Sequence, residues 1–450
     1  MKDFWLGLGL CAATLPALVF AQAGRAAPPD HYLVIHAGTL LAVPGEAPRR
    51  EMTIVVKNDR IAAITPGYAA ADGIAPAGSA VETIDLSRHF VLPGLMDAHV
   101  HLQDEPSIGR RGGPPRNPPA AAEHAVNAII YARRSLAAGF TTLRDLGADD
   151  RSVFAARDAF RDGRIIGPRI LAAGSAIAVT AGHGDTLPPD RTGDPQARLE
   201  DGTCDGPAEC RAVVRFQAKR GADVIKVTAT GGFSSNTGLE PQLFPDEIEA
   251  IVATAHLNGL KAAAHAYAPL AIRQAVQAGI DSIEHGFLVD DEGLALMKKS
   301  GTFLVPTLSA SYPPPVFRIP DPASVRLRNE HRAFERAYAA GVKIAFGTDA
   351  GTFTHGDNAK EFELMVKFGM PPMAAIRSAT VATAELFGIS EDAGTLEPGK
   401  TADLIALTAN PLENISALRE IDFVLKSGRI AKRDGRMTEP FSYAPVGPPF

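Results

Sequence analysis

Val91-Leu92-Pro93-Gly94-Leu95-Met96-Asp97-Ala98-His99-Val100-His101 is an apolar run of strand length that ends in two histidines one residue apart. On a strand, side chains repeat with a period of two, so both imidazoles leave from one face and converge on one point. Imidazole nitrogen suits zinc or a similar first-row metal, and two such ligands need one or two more from elsewhere in the chain. The pair also has a plainer reading, a chance His-x-His on a loop, so the rest of the sequence decides between them.

Ionisable residues recur at the ends of other apolar runs. Lys226 closes Ala222-Asp223-Val224-Ile225, His265 closes Leu260 to Ala264, His285 closes Ile280 to Glu284, and Asp349 closes Val342 to Thr348. Singly, these are a solvated lysine, satisfied core histidines and a helix-capping aspartate. Together they place metal-competent groups on five strand ends separated by helix-length segments. That is the pattern of the catalytic face of a (β/α)8 TIM barrel, whose sites lie at the C-terminal ends of the strands.

The set His99, His101, Lys226, His265, His285 and Asp349, in this order, resembles the binuclear branch of the amidohydrolase superfamily. Val224-Ile225-Lys226-Val227 with Gly231-Gly232, His265-Ala266-Tyr267, Ser282-Ile283-Glu284-His285-Gly286 and Gly347-Thr348-Asp349 are similar to the imidazolonepropionase-related group. That group holds Xaa-Pro dipeptidases, carboxypeptidase-like amidases and ochratoxin-hydrolysing enzymes. The resemblance covers nearly the whole chain after its first residues. It implies two divalent ions, zinc by expectation, with His99, His101 and Asp349 on one, His265 and His285 on the other, and Lys226 on both. A lysine ammonium, with an ordinary pKa of about 10.4, would repel cations. The resemblance implies that carbon dioxide converts Lys226 to an anionic carbamate able to bridge them. It further implies a hydroxide shared by the two ions as nucleophile, and Asp349 as the group that moves the proton to the leaving nitrogen.

His183, in Ala181-Gly182-His183-Gly184-Asp185, and Tyr267, two residues past His265 and so on its face, match substrate-binding positions of related dipeptidases. A loop-bracing role is the plainer reading of His183, and His355, near Asp349, carries less weight. Gln103-Asp104-Glu105 after the histidine pair departs from the small polar residue of close relatives, which bears on substrate identity. Deaminases of the superfamily carry a glutamate three residues after a strand-end histidine. Ala268 and Leu288 stand there, which argues against deamination. The expected activity is hydrolysis of a dipeptide or N-acyl amino acid with an apolar, aromatic or proline C-terminal residue. Cyclic amide or lactone opening is the alternative within the family, and a non-catalytic periplasmic metal-binding protein is the alternative outside it.

With 450 residues the chain has room for one α/β barrel, about 250 residues, and a smaller domain. A net charge of −6 without a basic block gives no sign of nucleic acid. Lys2, the apolar run Phe4 to Phe20 and Ala21-Gln22-Ala23 read as a signal peptide over 1–23, so the mature protein is expected to be periplasmic or secreted and free of the membrane. Leader removal discards Cys11 and leaves Cys204 and Cys210, which either pair in an oxidising compartment or remain two idle thiols.

Short β-type runs, Leu33 to His36, Thr39 to Val43, Thr53 to Lys57, Arg60 to Ile64 and Val81 to Asp85, with an Asn58-Asp59 hairpin turn, fill residues 24–93. Ala402 to Leu407 and Phe423 to Ile430 answer them within 397–450. The two ends are expected to form one small β-sandwich beside a barrel over 94–396. Thr141 to Asp145, Arg169 to Ala173 and Phe303 to Thr307 read as further strands, and Ala120 to Ala138, Pro245 to Asn258 and Ala323 to Ala340 as outer helices. Long segments follow the strand ends: Gln103 to Pro119, Thr180 to Pro207, Gly231 to Phe244 and Ser309 to Pro322. Their Phe233, Leu239, Phe244, Tyr312, Pro313, Pro314, Val316 and Phe317 either plug the barrel mouth or form an apolar substrate pocket. A homo-oligomer acting on a small-molecule amide or peptide is expected.

Overall fold

The computed structural model describes residues 30–72, 74, 76, 79–105, 121–232, 237–311 and 332–439. The expected leader over 1–23, Phe233, and Tyr312, Pro313, Pro314, Val316 and Phe317 lie outside them. No helix among the described residues is long and apolar enough to cross a membrane.

The N-terminal runs fold as β1 (His31–Leu40), β2 (Arg49–Lys57), β3 (Arg60–Pro66) and β4 (Ala80–Pro93). Asn58 makes the turn between β2 and β3 at φ 54°, in the left-handed region that asparagine tolerates. The two runs expected between Leu33 and Val43 are one strand, β1, whose register against β4 shifts between Ala37 and Thr39. A Cβ on Gly38, at that shift, would stand 2.1 Å from the Ser87 carbonyl oxygen. Backbone approaches backbone there and leaves no room for a side chain. The run Val81 to Asp85 continues to Pro93 and delivers the chain directly to the histidine pair.

Past Gly94, strands alternate with helices. β5 (Leu95–Val100), β6 (Phe140–Asp145) and β7 (Arg169–Ala172) form one parallel sheet, and β8 (Val224–Thr228), β9 (Lys261–Ala266), β10 (Ser282–His285) and β11 (Phe303–Val305) another. β5, β6, β8, β10 and β11 are buried at every residue, as parallel strands covered on both faces are. Ile177 joins the two sheets on one side, its N–H donating to Lys226 O at 2.7 Å and its carbonyl accepting from Thr228 N at 2.9 Å. On the other side the segment 342–350 makes isolated bridges instead of a regular strand. Ala345 N donates to Leu304 O (3.0 Å), Ala98 N to Phe346 O (2.8 Å) and Asp349 N to His99 O (2.7 Å).

Helices Ala121–Ala137, Pro207–Arg220, Pro245–Leu257 and Pro269–Gln277 pack between the strands. The last three open on proline, whose fixed φ and missing N–H suit the first turn. The stretch expected to be helical from Ala323 is helical over 332–340, its earlier part lying outside the described residues. Thr180 to Pro207, expected as a loop, contains a 3-10 turn Pro189–Arg191 and the helix Pro195–Asp201. Cys204 and Cys210, both buried, are disulfide-bonded with their Cα atoms 5.0 Å apart.

β12 (Leu404–Leu407), β13 (Phe423–Lys426), β14 (Arg429–Arg433) and β15 (Arg436–Met437) return to the first strands, giving the order β15-β14-β13-β12-β4-β1-β2-β3. Both ends thus share one hydrogen-bonded mixed sheet, curled so that Arg60 bridges Thr401. Leu33, Ile35, Ile54, Leu404, Phe423 and Leu425 belong to a core of its own. At the junction with β5, Lys426 Nζ lies 2.6 Å from Asp403 Oδ2, Ser427 N donates to Asp403 Oδ1 at 2.7 Å, and Gly94 N donates to Asp403 O at 3.0 Å. Both partners of this ion pair are buried. Removing one partner leaves an uncompensated charge, so Asp403→Ala is expected to destabilise the fold by about 3–5 kcal/mol. Asp403→Asn with Lys426→Met should recover most of that loss in urea unfolding.

Candidate active site

Three consecutive strand ends carry a non-glycine residue in the left-handed region: His285 (φ 70°) closing β10, Thr307 (φ 48°) just past β11, and Asp349 (φ 61°) in the 342–350 segment. Such conformations cost of order 1–3 kcal/mol each and persist only where the surroundings impose them. The gain is geometric. On a regular strand Glu284 and His285 would point to opposite faces, as would Thr348 and Asp349. Here Glu284 reaches His99 at 2.8 Å while the His285 ring lies 5.0 Å from the His99 ring. Thr348 Oγ1 donates to Asp97 at 2.7 Å while Asp349 faces His101.

His99, His101 and Asp349 come together as a group whose candidate ligand atoms lie within 4.8 Å of one another. His101 Nε2 is 3.2 Å and His99 Nε2 3.5 Å from Asp349 Oδ1. The His265 and His285 rings are 4.7 Å apart. Lys226 sits in the middle of β8 and not at its end, and lines the same cavity as the other five.

Each of these four imidazoles has one nitrogen beside a protein oxygen. His99 Nδ1 is 2.8 Å from Glu284 Oε2, His101 Nδ1 3.0 Å from Gly147 O, His285 Nδ1 2.7 Å from Thr307 Oγ1, and His265 Nε2 3.3 Å from Gly231 O. Carbonyls and carboxylates only accept, so in His99, His101 and His265 that nitrogen holds a proton, and the other is the one left to ligate: already bare in His99 and His265, and in His101 only once its second proton is lost. This is the orientation that ligation requires. Imidazole and carboxylate donors in this mixture suit zinc or another first-row divalent ion.

Burial governs the charge states. It pulls His99 and His265 well below the ordinary imidazole value, His285 to about 3 and Lys226 to about 8. His101 goes the other way, because the hydrogen bond and charge of Asp349 outweigh burial and hold its imidazolium up to about 9. Burial raises Asp349, yet His101 in turn more than offsets it and leaves this carboxyl below its usual value.

These groups line a cavity of about 1120 Å³, together with Gln103, Asp104 and Glu105. His183 and Tyr267 line it too. The His183 ring is 4.5 Å from His265, and its backbone N–H donates to Gln242 Oε1 at 2.8 Å. A Cβ on Gly232 would stand 2.6 Å from that ring, so the Gly231-Gly232 pair admits it. Tyr267 meets His265 edge-on at 4.6 Å and stacks on His285 at 5.3 Å. The apolar wall is Phe287, Leu187 and Phe353. Leu239 and Phe244, read as plugging the barrel mouth or else forming the pocket, do not line the cavity, and Phe244 is 72% exposed because it opens a helix at the surface. His355 does not reach the cavity either. It stacks on Tyr131 at 4.9 Å and its Nε2 lies 3.1 Å from His101 O and 3.2 Å from Asp104 O, bracing the chain that leaves β5.

Several supporting residues escape the sequence reading. Asp97 accepts from His99 N, Thr348 N, Thr348 Oγ1 and Asn358 Nδ2, tying β5 to the segment that carries Asp349. Glu284 pairs with Arg144 at 2.9 Å. Glu361 accepts from Leu308 N and Ser309 N at 2.8 and 2.7 Å, and burial pushes its carboxyl up to about 8. The available signal was a charged residue embedded in an apolar run, as in Leu95-Met96-Asp97-Ala98 or Ser282-Ile283-Glu284.

Residues 90–431 match the model of the amidohydrolase family. A crystal structure of a Xaa-Pro dipeptidase with methionine bound in its active site is 39% identical, with a TM-score of 0.82 over 89% of this chain and 100% of that one. A prolidase crystallised with N-methylphosphonate-L-proline is 30% identical, with a TM-score of 0.77 over 89% of this chain and 100% of that one. Ochratoxinase of Aspergillus niger is 32% identical over 431 residues, 89% of this chain and 87% of its own length. The likeness to these amidohydrolase structures implies a TIM-barrel-type fold with an extra domain.

Because His101 keeps its proton up to about 9 in the metal-free site, an entering cation has to displace that proton at lower pH. Zinc affinity at His99, His101 and Asp349 is expected to rise with pH up to about 9 and level off above it. Chelator competition between about pH 6.5 and 9.5 measures this. A flat profile would show that His101 is neutral in the free site.

Proposed function

Because this chain belongs to the amidohydrolase family, we propose that it hydrolyses the amide bond of a dipeptide or N-acyl amino acid whose C-terminal residue is apolar, aromatic or proline. The observation that carries the reading is the convergence of His99, His101, Lys226, His265, His285 and Asp349 on one cavity, with His99, His101 and His265 each held through one ring nitrogen by a protein acceptor. The similarity to a Xaa-Pro dipeptidase, a prolidase and an ochratoxinase supports the substrate class. In the same reading, the parallel strands and the 342–350 segment make one (β/α)8 barrel over 94–396. The strands of the two chain ends, within 24–93 and 397–450, make a second domain built on one curled sheet, in place of the expected β-sandwich.

His99, His101 and Asp349 would hold one divalent ion, zinc in our reading, and His265 and His285 a second. Lys226, brought down to about 8 by burial, has a minor but reactive share of neutral amine near physiological pH. The amine nitrogen then bonds to the carbon of carbon dioxide and releases a proton, giving a carbamate that would serve both ions. Two ions so held supply Lewis acidity toward the amide carbonyl and bring the pKa of water to roughly 7.

The remaining work falls to side chains. Asp349 takes the proton from the attacking water and passes it to the leaving nitrogen. His183 and Tyr267 donate hydrogen bonds to the substrate carboxylate or the developing oxyanion. Phe287, Leu187 and Phe353 offer an apolar seat for the C-terminal side chain. Residues 1–23 act as an export signal in this reading. The buried Cys204–Cys210 disulfide supports it, since such bonds persist in oxidising compartments.

A panel of Xaa-Pro and Xaa-Phe dipeptides, N-acyl amino acids, lactones and imidazolone propionate tests the substrate class. Turnover of the first two groups, lost on chelation, is expected. Turnover confined to the cyclic compounds would move the assignment to ring opening.

Variants separate the residue roles. Asp349→Asn should lower kcat by about 10²-fold or more with little change in KM, metal content being measured alongside. Tyr267→Phe should mainly raise KM, with a smaller penalty for C-terminally amidated substrates. Lys226→Ala should be inactive and partly rescued by short carboxylates, whereas Lys226→Arg, a permanent cation, should not be rescued.

A further inference from the structure

Glu284 has no ligand role in the function proposed above, yet it is fully buried and faces His99 across the interior. Its Oε2 accepts from His99 Nδ1 at 2.8 Å, and its Oε1 takes Arg144 at 2.9 Å and Ser282 Oγ at 2.5 Å. Arg144, 1% exposed, also donates from Nε to the carbonyl of Ala98 at 2.7 Å, the residue before His99. Three strands are tied together in this way: β6 supplies the guanidinium, β10 the carboxylate and hydroxyl, and β5 the imidazole and the carbonyl.

The other three imidazoles rest on neutral partners, the carbonyls of Gly147 and Gly231 and the hydroxyl of Thr307. His101 meets Asp349 through Nε2, but His99 alone among these four has a carboxylate on the ring nitrogen turned away from that cluster. A hydrogen bond to an ionised acceptor is roughly twice as strong as one between neutral groups, and it makes the opposite ring nitrogen a better donor to a metal. The difference lies between the two halves of the centre.

Resting on the metal reading above, we propose that Glu284 and Arg144 are positioning residues. They fix the His99 tautomer and ring plane through a buried Arg144–Glu284–His99 relay, so that the half of the site holding His99, His101 and Asp349 binds its cation much more tightly than the half holding His265 and His285. The tight half fills first and empties last. Arg144 balances the carboxylate charge and, through the Ala98 carbonyl, also fixes the backbone that carries the ring. The relay therefore sets both the basicity and the direction of the His99 Nε2 lone pair.

The test is the release of cobalt(II) from the loaded full chain into excess chelator, followed by visible absorbance. The native protein should release one ion quickly and one slowly. Glu284→Gln keeps the shape but removes the charge. It should speed the slow phase by about 10- to 100-fold, the usual effect of losing such a partner, and leave the fast phase unchanged.

Glu284→Gln strands the Arg144 charge, so the double variant Glu284→Gln/Arg144→Met, which removes both charges, separates positioning from stability. Fast release persisting in a double variant of native melting temperature supports the relay. Slow release returning with stability would make Glu284 a mere partner for Arg144 and overturn it, as would two phases that accelerate equally in the single variant. A native chain that retains no cobalt would remove the metal reading itself, and the relay with it.

Discussion

Taking an ionisable group out of water is the constraint on which the centre of this molecule depends. Four imidazoles, an amine and several carboxyls are packed where solvation is poor, and each is stable only with a partner or in its neutral form. The solutions differ by residue. His285 and His265 lose their proton, Lys226 moves toward its free amine, and His101 and Asp349 neutralise each other. Asp97 gathers four donors around one carboxylate. The result is a pocket in which three imidazoles are neutral and the positive charge of His101 is met by Asp349.

Strand geometry limits how such a pocket can be built. A period of two presents every second residue, so His99 and His101 can share a face, as can Ser282 and Glu284, whereas Glu284 and His285 cannot. The left-handed residues at His285 and Asp349 remove that restriction by rotating the last side chain of the strand into the space its predecessor faces. Gly286 follows in the same region at φ 66°, and a Cβ on it would stand 2.6 Å from Leu304. The backbone strain is local. It is held by bonds such as His285 to Thr307 and Asp349 N to His99 O.

What is legible in the sequence follows from these rules. Period-two spacing exposed His99 and His101, and the recurrence of ionisable residues near strand ends exposed Lys226, His265, His285 and Asp349. Proline-opened helices and the Asn58 turn were legible because their chemistry is local. Arg144, Glu284 and Asp97 were not, since a charged residue in an apolar run acquires meaning only from a partner on another strand, and Glu284 lies 185 positions from His99. The segment 342–350 read as a strand because its composition is that of one. Its isolated bridges depend on how β5 and β11 sit, which no local pattern encodes. The apolar residues Leu239 and Phe244 misled for a similar reason: hydrophobicity says what a side chain prefers, not which wall it can reach.

The eight-stranded sheet has a consequence for the order of events during synthesis. β4 pairs with β1 on one side and with β12 on the other, Leu404 lying opposite Pro93. The ribosome finishes the first of these strands long before the second exists. At about 5–20 residues per second the free edge of β4 waits on the order of tens of seconds for its neighbour. Through that interval the nascent chain presents an unpaired, apolar strand edge, the kind of surface on which chains associate wrongly. Strands made about three hundred residues later close the ones laid down first, so the centre at the end of β5 gains this support only after β12 has been synthesised.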